Sequence, residues 1–349
     1  MKKKILALLL VTAMTAMSLT ACGSQEGSSS NGSSTGGASN SVESSNTAES
    51  GAAAPADDGR TYRIGICQLL EHVALDAATD GFQDALKEKL GDRVTFDEQL
   101  AQGEQPVAAT ICNGFVSDGV DLILANATAP LQSAAAATTE IPILGTSVTD
   151  YGAALDVADW SGASGRNISG TSDLAPISEQ ENILLELIPD VKQVGLLYCS
   201  AETNSVFQID LFKAELEADG IAYKEYAIAD SNEIQSVVTT AASECDALYI
   251  PTDNTLAAAT ETVYNIVVPA KIPVIAGEEG ICSGCGIATL SISYYDLGYV
   301  TGEMAYEILV EGADISTMDV RYAPVTKKYN AKICEELGIT IPDDYVVIE

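Results

Sequence analysis

Short clusters of polar residues along this 349-residue chain contain most of the side chains that could bind a ligand. Acids suit a ligand ammonium group, whereas hydroxyl groups and the starts of helices suit a carboxylate. The candidate ligand-binding residues are Gln68, Glu71, Asn126, Ala127, Thr128, Thr149, Asp150, Asn204, Ser205, Asp253, Asn254 and Tyr294. Asp253 and Asn254 are the strongest pair, because one of them can cap a helix while the other binds an ammonium or hydroxyl group.

The same clusters contain no recognisable catalytic set. The only histidine, His72, has no obvious nucleophile partner, and Glu71 with His72 is either an acid–base pair or a pair of ligand contacts. No GxGxxG motif follows the first predicted strand, and the chain contains no GxxxxGK[ST] phosphate loop. We therefore predict a protein that is not an enzyme, with no catalytic residues, no metal site and no cofactor.

Cysteine usage does not indicate a disulfide scaffold. Of the eight cysteines, Cys22 lies in a targeting motif, and the other seven are odd in number and widely spread. Zinc would need two more ligands than the pair Cys282 and Cys285 supplies. Gly284 and Gly286 disfavour the helix that a redox CxxC motif needs, so a local disulfide or two free thiols is favoured there.

The candidate ligand-binding residues can form one site only if several strands end at the same edge of a sheet. From Thr61 onwards, short apolar runs alternate with amphipathic stretches; for example, Tyr62–Gln68 is followed by apolar residues at helical spacing up to Gly91. Strands are predicted at 62–68, 94–96, 121–125, 141–144, 194–198, 221–229, 247–250 and 273–276, with helices between them, the last spanning 256–270. This order predicts an α/β fold of two doubly wound, parallel-sheet lobes joined by hinge crossings.

Irregular stretches near 167–176, 289–293 and 322–326 are assigned as the crossings between the lobes. The N-terminal lobe is then 60–170 plus 292–322, and the C-terminal lobe is 171–291 plus 323–349. Ligands of open parallel sheets bind beyond the carboxyl ends of the strands, where the polar clusters fall. Any single Asp, Asn, Ser or Thr there is more often a helix N-cap, but several such loops facing one cleft favour a binding site.

The N-terminus is predicted to target the chain to a membrane surface. Residues 1–21 resemble a signal peptide, with three lysines, an apolar run and Leu19-Thr20-Ala21 before Cys22. This order resembles the bacterial lipobox, so we expect Cys22 to carry the lipid; the alternative is an ordinary secretory signal. Residues 22–59 then form a tether, expected to be disordered because it is rich in Ser, Gly, Asn and Ala.

The net charge of −33 restricts the partners of the chain. Such an acidic surface repels nucleic acid and phosphate-rich ligands, so no nucleic-acid partner is expected. A zwitterionic amino acid is neutral overall and meets no such barrier.

Several motifs occur in order between about Tyr62 and the C-terminus. They are Ile64-Gly65-Ile66-Cys67-Gln68, Ser147-Val148-Thr149-Asp150, Gly165–Gly170, Pro251-Thr252-Asp253-Asn254 and Gly302-Glu303-Met304-Ala305. Together they resemble a known family, the substrate-binding lipoproteins of ABC importers in the tryptophan/tyrosine group. One departure is Tyr151, where the family often has proline.

The resemblance implies a type I periplasmic-binding-protein fold that closes on its ligand, a membrane permease as partner, and an extracytoplasmic, lipid-anchored location. It also favours an aromatic amino acid as the small-molecule ligand, for which Tyr151, Tyr294 or Tyr295 could supply aromatic contacts. A sugar or nucleoside is the rival ligand. A sensing lipoprotein that signals to a membrane partner is the rival function.

Overall fold

The computed structural model describes residues 59–158, 160 and 162–348. Signal peptide 1–21, Cys22 and the tether up to residue 58 therefore lie outside the described residues. The strands are β1 (Tyr62–Gln68), β2 (Val94–Leu100), β3 (Leu122–Asn126), β4 (Ile143–Val148), β5 (Ile168–Ser172), β6 (Gln193–Cys199), β7 (Ala222–Ile228), β8 (Ala247–Ile250), β9 (Val274–Ala276), β10 (Ala288–Ile292), β11 (Arg321–Tyr322), β12 (Val325–Tyr329) and β13 (Val346–Val347).

The helices are α1 (Val73–Leu90), α2 (Gln105–Asp118), α3 (Thr128–Ala137), α4 (Tyr151–Leu155), α5 (Ile177–Leu187), α6 (Thr203–Asp219), α7 (Ile234–Glu244), α8 (Asn254–Ala257), α9 (Thr260–Val267), α10 (Glu279–Cys285), α11 (Tyr294–Leu309) and α12 (Ala331–Leu337). Single 3-10 turns span Gly91–Arg93, Ser231–Glu233 and Ile315–Thr317.

The strands form two sheets, which confirms the predicted α/β fold class. One sheet has six parallel strands in the order β11-β5-β4-β3-β1-β2. The other has seven strands in the order β13-β12-β10-β9-β8-β6-β7. Its neighbouring strands pair in parallel except β10 and β12, which pair antiparallel. We call the first sheet with its helices the N-terminal lobe, and the second sheet with its helices the C-terminal lobe.

Three predicted irregular stretches contain regular strands. β5, β10 and the start of β12 occupy them. The run Ser-Gly-Thr-Ser conceals the strand pattern of β5, although β5 and β10 are both buried throughout. The crossings are therefore shorter than expected, at 173–176, 293 and 323–324. Two expected boundaries shift accordingly, because β5 stays in the first sheet up to Ser172 and β10 stays in the second sheet up to Ile292. The expected boundary after residue 322 coincides with the end of β11.

Two helix predictions also differ from the structure. The helix expected over 256–270 is divided into α8 and α9 by a break at Ala258 and Ala259. The segment where glycine was expected to prevent a helix forms α10, because Glu278 caps its first N–H groups and Ile281 is buried behind it. Cys282 and Cys285 lie in this helix as buried free thiols, which is one of the two expected alternatives.

Helices α1 and α11 pack together closely on one face of the first sheet. Their contact depends on glycine, since a Cβ at Gly298 would lie 1.9 Å from the carbonyl oxygen of Ala78. Leu75 and Phe82 of α1 are buried on its inner side, and the helix ends at Gly91, as the sequence predicts. This packing fixes the first turns of both helices beside the ends of the strands, where the candidate site lies.

Candidate ligand-binding cleft

A small cavity lies between the two lobes at the carboxyl ends of their strands. Its volume is about 10 Å³, roughly the space of one water molecule. The residues lining it come from both lobes and one crossing: His72, Leu75, Ser147, Thr149, Asp173, Asn204, Thr252, Asp253, Asn254, Ala257, Glu278 and Tyr294. The cavity thus lies beyond the carboxyl ends of strands from both sheets, where the strand order predicts a ligand site.

Two side-chain contacts join the lobes across this cavity. His72 Nε2 lies 3.2 Å from Asn254 Oδ1, and Thr149 Oγ1 lies 3.2 Å from Thr252 Oγ1. His72 is part-buried, and desolvation lowers its pKa against the opposing effects of Asn254, Asp76 and Glu202. The lobes therefore touch directly, in a closed arrangement.

Asp173 lies in the first crossing and is buried against the N-terminal lobe. Its Oδ1 accepts a hydrogen bond from Thr149 Oγ1 at 3.0 Å, and its Oδ2 accepts one from the Tyr294 hydroxyl at 2.8 Å. Burial raises the pKa of Asp173 despite these two donors. Burial also raises the pKa of Tyr294 well above its ordinary value, so the phenol keeps the proton that it donates.

Glu278 follows β9 and caps α10 from the C-terminal lobe. Its side chain accepts hydrogen bonds from the backbone N–H groups of Gly280 and Ile281. Burial, followed by the charge of Asp173, raises the pKa of Glu278 to about 7. Both carboxyl groups retain free lone pairs, because each oxygen accepts only one hydrogen bond among the described residues.

Asp253 caps α8 and has more donors than the other two acids. Its Oδ1 accepts from Leu256 N at 2.9 Å, and its Oδ2 accepts from Cys199 N at 2.6 Å and Ser205 Oγ at 2.8 Å. Burial, followed by the charge of Glu202, raises its pKa. Asp253 therefore holds β6, α6 and α8 together and has little capacity left for a ligand.

Ser147 lies at the end of β4 with a hydroxyl that has no partner. The residue is 7% exposed, and its Oγ forms no hydrogen bond with any of the described residues. Its φ of 54° is in the left-handed region, and such strain in a residue other than glycine concentrates at functional sites. An unpartnered, buried hydroxyl facing the cavity is available to a ligand.

A larger cavity of about 680 Å³ adjoins the small one, and Asn204 lines both. Glu71 and Thr128 line it from the N-terminal lobe, and Glu202 from the C-terminal lobe. Glu202 accepts hydrogen bonds from the backbone N–H groups of Asn254 and Thr255 at 3.0 and 2.8 Å. This carboxylate holds the start of α8, and hence Asn254, against His72.

The structure brings most of the predicted residues to these two cavities. Thr149, Asn204, Asp253, Asn254 and Tyr294 line the small one, whereas Glu71 and Thr128 line the large one.

The other five predicted residues lie outside both cavities. Gln68 and Asn126 are buried in a network with Asp76, Thr79 and the Leu75 carbonyl, which fixes α1 on the sheet. Ala127, at a φ of 96°, precedes α3. Ser205 bonds Asp253, and Asp150 caps α4 through Ala153 N.

Sequence reasoning missed Ser147, Asp173 and Glu278. Glu278 obeys the same rule as the predicted residues, since it lies two residues beyond the end of β9. Asp173 carried no such signal, because its strand β5 was not recognised.

Comparison with known proteins decides the family. The chain matches the family described as ABC transporter substrate binding protein over residues 63–348. The chain belongs to this family. Its members bind solutes, which confirms that the chain is a binding protein and not an enzyme.

Relatives of this substrate-binding protein include a curated tyrosine-binding protein from Clostridioides difficile (strain R20291). It is 35% identical over 321 residues, which cover 91% of this chain and 87% of the relative. A solved ABC domain from Streptococcus pneumonia in complex with L-Trp is 34% identical, with a TM-score of 0.78 over 82% of this chain and 100% of that one.

A third relative differs more in structure. It is the ligand-free, open structure of a substrate-binding protein with adhesive properties from Clostridium difficile, 36% identical. Its TM-score is only 0.65 over 83% of this chain and 99% of that one. Since the identities are similar, the higher score of the L-Trp complex agrees with the closed lobes seen here.

Among residues 59–158, 160 and 162–348, no helix is long and apolar enough to cross a membrane.

Proposed function

We propose that this chain is the lipid-anchored, extracytoplasmic substrate-binding protein of an ABC importer, and that it binds one aromatic amino acid between its lobes. The observation that carries this proposal is the acid-rich cavity formed by both lobes. Asp173, Asp253 and Glu278 line it as buried acids, and the described residues around it include no Lys or Arg. Buried carboxyl groups without a cationic partner favour a ligand that brings its own positive charge.

The remaining lining residues suit the other parts of an amino acid. Ser147 supplies a free hydroxyl. Helix α1 starts at the cavity, and no side chain caps its first N–H groups, which can therefore attract a carboxylate. Leu75, Ala257 and the ring of Tyr294 offer apolar contact to a side chain. The two relatives named for tyrosine and L-Trp support an aromatic side chain.

Binding would require the lobes to open and close. A cavity of about 10 Å³ is far below the 300–1,000 Å³ typical of small-molecule sites. The three crossings are short, as the hinges of clamshell binding proteins are. We therefore expect the ligand to enter an open form. The lobes then close, and His72 again contacts Asn254 while Thr149 again contacts Thr252.

Cys22 is the proposed anchor, and a membrane permease is the proposed partner. The lipobox-like residues before Cys22 support the first. Family membership supports the second, because substrate-binding proteins of ABC transporters deliver solutes outside the cytoplasm to their permease. Mass spectrometry of the mature N-terminus tests the anchor; an unmodified Cys22 or cleavage elsewhere would exclude it.

A thermal-shift panel of the twenty amino acids, common sugars and nucleosides tests the ligand class. A ligand that binds only the folded protein raises the melting temperature as its concentration rises. We expect Trp, Tyr or Phe to do so. If all three leave the melting temperature unchanged while a sugar or nucleoside raises it, the proposed ligand is wrong.

A further inference from the structure

Asp173 and Glu278 face the same cavity but belong to different lobes. The backbone N–H of Asp173 bonds Val148 O at 3.2 Å, and its carboxylate accepts from Thr149 and Tyr294, which are all in the N-terminal lobe. Glu278 is held by the first turn of α10 in the C-terminal lobe. Opening the lobes therefore separates the two carboxyl groups, and closure brings them together.

Among the described residues, no Lys or Arg lines the small cavity that this acid pair faces. Lys328 lines a different cavity together with Glu278 and Tyr294, and its Nζ donates a hydrogen bond to Glu279 Oε2 at 2.7 Å. His72 on α1 bonds Asn254 and lies near Asp76 and Glu202, while Asp253 on α8 adds a further carboxyl group to the cavity. The other titratable groups that line the small cavity are thus Asp253, the Tyr294 phenol and the single imidazole of His72.

We propose that Asp173 and Glu278 form a charge gate, in which their repulsion opposes closure of the empty cleft and a ligand ammonium group between them permits it. This inference rests on the proposed function and names the part of the ligand that drives closure. Like charges brought together in a site with little water repel strongly, and an intervening cation converts the repulsion into two attractions. Ligands without an ammonium group would leave the cleft open.

The protonation behaviour of the pair agrees with the gate. Burial raises the pKa of Asp173, and burial with the charge of Asp173 raises the pKa of Glu278 to about 7. Closure of the empty cleft therefore takes up a proton, so acid favours it. Binding of an ammonium ligand has the opposite preference, because it needs the ionised carboxylates.

Small-angle scattering on the unliganded protein tests the gate directly. We expect the radius of gyration of the wild type to decrease as the pH falls from about 7.5 to 5.5, across the raised pKa of Glu278 at about 7. The double variant Asp173→Asn/Glu278→Gln should already be compact at the higher pH and should not respond to acid. The control Asp150→Asn alters an acid outside the cavity and should behave as wild type. A wild-type radius independent of pH, or a double variant as extended as wild type, would overturn the gate.

Ligand titrations complete the test. L-tryptophan should compact the wild type at pH 7.5, whereas indole-3-propionate, which lacks the amino group, should not. Each single variant should lose roughly 30-fold or more in L-tryptophan affinity, as expected when one partner of a buried charge pair is removed. Compaction by indole-3-propionate would contradict the gate. If no aromatic amino acid binds at all, the proposed ligand fails, while the pH response of the empty protein still decides the gate.

Discussion

Replacing Asp253 by alanine should destabilise the fold far more than the loss of an ordinary helix cap. The substitution leaves Cys199 N and Leu256 N without their buried acceptor, whereas Ser205 Oγ can turn toward Thr252 O, now 3.5 Å away. Each unsatisfied buried donor costs about 1–3 kcal/mol. Loss of a desolvated carboxyl group offsets part of this, so we expect the free energy of unfolding to fall by about 2–4 kcal/mol.

The matched control is Asp150→Ala. Asp150 also caps a helix after a strand, but among the described residues it accepts only one hydrogen bond, from Ala153 N at 2.7 Å, and it is less buried. Its loss should cost about 1 kcal/mol. Urea denaturation of both variants, analysed with a common slope, measures the difference. Equal losses for the two variants would show that Asp253 is a simple cap and that its bond to Cys199 N adds no stability.

Three further substitutions test other parts of the account. Because the pKa of Glu278 is raised from 4.5 to about 7, the folded protein holds a proton that the unfolded chain releases, and the unfolding free energy falls as the pH rises through this window. Glu278→Gln should remove up to about 3 kcal/mol of that fall, as measured by denaturation at several pH values; an unchanged pH dependence would contradict the burial argument. Ser147→Ala should lower the affinity for the ligand by about 1 kcal/mol in calorimetry without lowering the melting temperature, since the hydroxyl has no partner; a lower melting temperature with normal affinity would assign Ser147 to the fold alone. Gly298→Ala should destabilise by about 1–3 kcal/mol, because its Cβ meets the Ala78 carbonyl oxygen, whereas Gly114→Ala in α2, with no atom within 4 Å, should not destabilise; equal effects would exclude the helix contact as the cause.

Much of the fold could be predicted from the sequence, because apolar residues recur with different spacing in the buried strands and in the helices between them. β1 and β8 coincide with their predicted ranges, and α1 ends where Gly91 predicts. The missed strand β5 and the missed helix α10 share one cause, which is tertiary burial of weakly patterned segments. β5 reads Ile-Ser-Gly-Thr-Ser and is fully buried, and α10 forms despite glycine because its apolar side faces the core.

The candidate site was predictable only where a residue follows a recognised strand. The loops after β4 and β8 brought Thr149 and Asp253 to the cavity. Their roles could not be predicted, because only the structure shows that Asp253 is occupied by backbone donors while Asp173 and Glu278 keep free lone pairs. Asp173 meets Tyr294 across 121 residues of sequence, and no local pattern encodes such a contact.

Isothermal titration calorimetry with L-tryptophan, L-tyrosine and L-phenylalanine at pH 7.5 is the most direct test of the account. We predict saturable binding of at least one of them, with one ligand per chain. The same titration should show binding retained in Asp150→Asn and strongly weakened in Asp173→Asn and Glu278→Gln. The absence of binding by all three amino acids, or full affinity in both cavity variants, would contradict the account.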